Sequence, residues 1–140
     1  FIPRDDLSVD RLAVNVTTLI AGALGRIVIY SADATGRPAS LLLETGDLDF
    51  STAGVKAATA ALTLRRGVTC WLGIRHSANA TLSTWALTAT PDLNGGAPVT
   101  SARKVLRRTL AFATPAPASW GYLSSETNAA AATAIWLRAA

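Results

Sequence analysis

Catalysis by a nucleophile or by proton transfer needs a base held against the group it activates. The sequence contains one histidine, His76, next to Ser77, and its acidic residues are thinly spread. A glycosidase needs two carboxyl groups flanking one bond. The only acidic clusters are Asp5-Asp6-Asp10, in a solvated N-terminal approach, and Asp47-Asp49, in a turn. Neither supplies such a pair, so no enzyme is expected. Zinc needs four ligands, which one cysteine and one histidine cannot supply. Asp47 and Asp49 are the best oxygen ligands for calcium, but they lack the dense Asp/Asn/Gly spacing of a calcium loop. Gly95-Gly96 is not followed by the Lys-Ser/Thr of a phosphate loop. Neither a metal nor a cofactor is expected.

The four tryptophans carry more information. Trp71, between Cys70 and Leu72, and Trp85, in phase with Leu87, read as core residues. Trp120 and Tyr122 are two apart and share a strand face, just after the turn-rich segment 115–119. A flat aromatic face can stack on the C–H face of a sugar ring. Trp120, Tyr122, Arg75 and His76 are therefore the candidate ligand-binding residues. The plainer reading has Trp120 plugging the end of the fold. Trp136, in the terminal strand, is read as facing a neighbouring subunit. The basic run Arg103, Lys104, Arg107, Arg108 has only Phe112 near it. Single-strand nucleic-acid sites interleave basic with aromatic residues. The run therefore reads as a solvated face or subunit contact, and no nucleic-acid partner is expected.

The elements that must position these residues are strands. Leu12, Val14 and Val16 alternate with Arg11, Ala13, Asn15 and Thr17, the period of a half-buried strand. Ile27 to Tyr30 is a β-branched run, followed by a turn at 32–38 and a short strand at Leu41 to Thr45. Val55 to Leu64 is a further strand, closed by the turn Arg65-Arg66-Gly67. Val68 to Arg75 is the strongest strand, and Thr81 to Thr88 is expected to return antiparallel beside it. Pro91, Asn94, Gly95, Gly96 and Pro98 make 90–102 a loop. Beyond it, Val105 to Phe112 fits a strand or a helical turn, while Trp120 to Leu123 and Ala134 to Arg138 fit closing strands. The alanines at 129–132 favour helix but are too few to form one alone. Eight or nine antiparallel strands at this spacing predict an all-β sandwich with one short helix at most.

A chain of 140 residues that is 50% hydrophobic is expected to bury one core, as a single domain spanning 1–140. No apolar run approaches the roughly 18 residues of a membrane span, so membrane insertion is not expected. The chain begins at Phe1 and has no methionine, as a piece of a longer polypeptide would. The lone cysteine, Cys70, sits in an apolar strand and reads as a buried, inert thiol. Arginine outnumbers lysine eleven to two and the net charge is +4, which favours anionic partners through steering.

The stretch from Gly25-Arg26-Ile27-Val28-Ile29-Tyr30 through Ser31-Ala32-Asp33-Ala34-Thr35-Gly36-Arg37-Pro38 to Leu41-Leu42 resembles the strand–turn–strand of jelly-roll domains. Such domains occur in fibre, spike and receptor-binding proteins of bacteriophages and phage-like gene transfer agents of alphaproteobacteria. Gly67 to Arg75 is similar to the following strand of that family, with Cys70 where an aromatic is commoner. The resemblance covers roughly residues 9 to 90. It implies a jelly roll, assembly into trimers with other particle proteins, and attachment to host-surface glycans such as capsular polysaccharide. It also implies a location on the particle surface, extracellular once released. It supplies no ligand motif, so the candidate residues rest on local chemistry alone. The alternative is a structural oligomerisation domain of the same particle that binds no ligand.

Overall fold

The computed structural model describes residues 1–85, 105–121, 127–128 and 132–140. These form strands and no helix: β1 (Leu7–Thr18), β2 (Leu24–Ala32), β3 (Pro38–Glu44), β4 (Leu48–Asp49), β5 (Gly54–Leu64), β6 (Cys70–His76), β7 (Thr81–Leu82), β8 (Thr84–Trp85), β9 (Leu106–Arg107), β10 (Thr127–Asn128), β11 (Ala132–Thr133) and β12 (Trp136–Ala139). All pairings are antiparallel. The all-β expectation holds. The connectivity of a jelly roll is a separate matter, because residues 86–104 lie outside the described set.

Two four-stranded sheets face each other. In one, β1 is flanked by β5 on one side and by β12 and β7 on the other. In the second, β2 is central, with β6 on one side and β3 and β4 on the other. Leu12, Val14 and Val16 of β1, Ile27 and Ile29 of β2, and Leu64 of β5 close the core together with Phe50 and Leu82. Val9 is also buried, although it lies three residues before Leu12. The register of β1 shifts between Val9 and Arg11 against both neighbours, and this bulge returns Val9 to the core side. In β5, Lys56, Ala58, Ala60, Leu62 and Leu64 alternate with exposed Val55, Ala57, Thr59, Ala61 and Thr63.

Two glycines do specific work. Gly67 takes φ 71° in the turn after β5, in the left-handed region where a side chain is costly. Gly25 leaves room for Phe50: a β-carbon there would lie 2.1 Å from the ring's Cζ.

The structure corrects several expectations. β7 does not fold back beside β6; it pairs with β1 in the opposite sheet, Val16 opposite Leu82. Alternation marks a strand face without naming the sheet it joins. Of Val105 to Phe112 only Leu106–Arg107 is strand, paired with β10. Near Trp120, Ser119 bridges to Ser40, and residues 122 and 123 lie outside the described set. So do 129–131 of the alanine cluster, while Ala132 begins β11. Trp85 is not a core residue: it is 53% exposed.

Candidate functional site

β2 is apolar on both faces. Ile27 and Ile29 point into the core, whereas Val28 and Tyr30 point outward and are nonetheless buried. A continuous apolar run is what a strand covered on both sides requires. The outer cover comes from the segment around 105–120, with Ala116 and Trp120 packed among Val28, Tyr30, Leu41 and Trp71. Tyr30 donates its hydroxyl hydrogen to the Pro117 carbonyl at 2.9 Å, and burial pushes its phenol pKa up. The Leu41 amide donates to Ala118 O at 2.8 Å, and the Trp120 amide donates to Ala39 O at 2.6 Å.

Glu44 is the polar hub of this layer. One oxygen accepts from Arg75 and the other from the Ala116 amide at 2.8 Å. Arg75 also donates to the carbonyls of Ala111 at 3.0 Å and Thr114 at 2.5 Å. The guanidinium groups of Arg26 and Arg75 both lie over the Phe112 ring, 4.7 and 5.8 Å from its centroid. The segment is thus held by one carboxylate, two arginines and a phenol, all on the outer sheet.

Between this segment and the sheet runs a cleft of about 540 Å³. Three of the four candidate ligand-binding residues line it: Arg75, His76 and Trp120. Tyr122 lies outside the described residues. Arg75 is only 11% exposed at its side chain and is committed to Glu44 and two carbonyls, which makes it a structural clamp. His76 is exposed at the end of β6, and its Nδ1 lies 2.8 Å from the Ala78 carbonyl. If Nδ1 carries the proton and donates there, Nε2 is left as an acceptor. Trp120 is half-buried. It meets Tyr30 edge-on at 5.3 Å between centroids, and Arg108 lies 3.9 Å over its ring. Trp71, half-buried beside it, donates its indole N–H to Gly36 O at 3.0 Å.

Comparison with known proteins assigns no family. No family model, curated protein or solved structure matches the chain.

Sequence reasoning missed a second aromatic group. Trp85 and Trp136 lie 6.3 Å apart, with their rings tilted at 49°, and are 53% and 43% exposed. Trp85 is the register partner of Ala132 in β11, and Ala132 and Ile135 line the cleft. The pair therefore sits on the surface next to the cleft wall. Trp136, read as facing a neighbouring subunit, is exposed on the edge strand β12. The 50 residues between the two tryptophans left no local signal that they would meet.

The acidic candidates are occupied separately. Asp47 accepts from Arg26 Nε at 2.5 Å, and Asp49 accepts from the Ser51 amide at 2.8 Å and from the Ser51 hydroxyl at 2.5 Å. Among the described residues no group of three or more His, Cys, Asp or Glu side chains is placed to hold a metal. Cys70 is buried, its thiol pKa pushed up by burial. In the basic run, Arg107 is exposed while Arg108 turns onto Trp120, so these two form no common stripe; Arg103 and Lys104 lie outside the described residues.

Proposed function

We propose that this chain is a non-catalytic glycan-binding domain, the receptor-recognition part of a fibre or head spike on a phage-like particle. The observation that carries the glycan reading is the exposed Trp85–Trp136 pair beside the cleft. Large apolar rings are normally buried, and an exposed cluster marks a surface that something covers. Two adjoining indoles offer π faces to sugar C–H groups, and the indole N–H offers a hydrogen bond at the rim. The particle, the jelly-roll path and the trimer come from the resemblance of residues 9 to 90. In a trimer, weak single sites would gain by avidity.

The test is binding of the purified domain to host cells with and without their surface polysaccharide. Trp85→Ala and Trp136→Ala should each weaken binding about tenfold, on the order of one lost aromatic contact. Circular dichroism must show that both variants fold. Binding that does not depend on polysaccharide sinks the glycan reading.

One observation favours a purely structural oligomerisation domain instead. β12, which carries Trp136, is an edge strand in the described sheet, and open edges invite pairing with another chain. Light scattering separates the two readings. If Trp136→Ala dissociates an oligomer while no polysaccharide binds the wild type, the structural reading stands.

A further inference from the structure

Arg108 is the one described residue with orphaned buried donors. Its Nη1 donates to the Trp120 carbonyl at 2.5 Å, and its guanidinium carbon lies 3.9 Å from the centroid of the Trp120 ring. Nε and Nη2 are shielded from solvent and have no hydrogen-bond partner. These two nitrogens form one edge of the guanidinium, and their parallel N–H bonds match the two oxygens of a carboxylate. A cationic donor pair kept from both water and acceptors is costly, and such groups call for a specific partner. Glu44, the carboxylate of this layer, is already engaged by Arg75 and the Ala116 amide. Among the described residues no other carboxylate pairs with this edge.

We infer that the Arg108 Nε–Nη2 edge, backed by Trp120 in the wall of the cleft, is a subsite for the carboxylate of an acidic sugar. This rests on the glycan reading and narrows it to uronate-bearing chains. The guanidinium takes the carboxylate side-on, and the cleft takes the ring. Access requires the wall at β9 to move. β9 is two residues long and is held by a two-residue ladder to β10. Arg107, exposed on the same strand, adds attraction at longer range without the fork.

Galacturonate and galactose test the subsite by NMR titration, with Trp indole N–H and Arg side-chain N–H resonances as the readout. Galacturonate should shift the Trp120 and Arg108 signals, and galactose should shift neither. In Arg108→Gln the response should vanish. Arg107→Gln removes the same charge without touching the fork and should keep it. If the folded Arg108→Gln variant responds like the wild type, or if galacturonate shifts nothing in the wild type, the subsite is overturned. Thermal melts establish which variants are folded. Should Arg108→Gln unfold, Arg108→Lys replaces it: the charge stays, the fork goes, and affinity should fall about tenfold.

Polygalacturonate and its methyl ester then separate this inference from the reading beneath it. Tighter binding of the acid, with the preference lost in Arg108→Gln, supports both. Equal binding of acid and ester keeps the glycan reading and overturns the carboxylate subsite. Galacturonate binding without binding to any polysaccharide tested keeps the subsite and removes the glycan reading.

Discussion

Gly25 passes so near Phe50 that the two positions act as one packing unit, with the ring filling the place where a side chain would begin. Gly25→Ala should cost about 1–3 kcal/mol by overpacking. Phe50→Leu alone should also destabilise, through the volume it removes from the core. In the double mutant the two costs should sum to less than their total, because the smaller side chain yields space to the new methyl. Urea denaturation of the four proteins checks this, and strict additivity would refute the coupling. The same pair shows what a sequence reveals at this scale. Gly25 reads as the start of a strand, but nothing near it names Phe50, which is brought there by folding. Trp85 was misplaced for a related reason. Its alternation with Leu87 predicts a shared face without saying which way that face looks. Arg75 was named only as a candidate ligand-binding residue, and the 31-residue reach from Arg75 to Glu44, which makes it a clamp, leaves no local trace.

Most strand cores were legible at the scale of elements. The period-two run of β1, the β-branched run of β2 and the turn at Gly67 all follow from local chemistry. The bulge in β1 was not legible, since it depends on the pairing with both neighbours. Next to it, Asp10 accepts from Arg138 Nε at 2.8 Å, and this ion pair ties β12 to β1. The Arg138 hydrogen bond holds the Asp10 carboxyl below its ordinary value of 3.8, helped by the charge of Arg11. A depressed folded-state pKa contributes stability that is fully present above the unfolded value and is lost as pH falls through the folded one. The window here begins at about pH 4 and extends downward. Asp10→Asn should therefore lower the denaturation midpoint slightly at pH 7, as a surface pair does, and should differ less from the wild type at pH 3. A difference that persists unchanged in acid would show that Asp10 acts by some means other than its charge.

Across the whole molecule, two sheets share one core and a further layer covers the second sheet from outside. The number of layers was the least legible feature, although Ile27-Val28-Ile29-Tyr30 already signalled burial on both sides. Chain connectivity gives the outer layer a kinetic character of its own. Tyr30 meets Pro117 across 87 residues of chain, and Glu44 meets the Ala116 amide across 72. Each contact closes a long loop, and its entropic cost falls before the contact is made. β2 and β3, by contrast, are joined by a short turn. The outer layer should therefore dock after the sheets have formed and open before they do, in a local event that leaves the main core closed. Hydrogen exchange measures this directly. The amides of Ala116 and Trp120 should exchange well before those of Leu12 and Ile29, and equal protection would mean that the layer opens only with the whole fold. The cleft is bounded by that layer, so it exists only in chains in which the layer has docked. A partly folded copy would have the sheets but not the cleft.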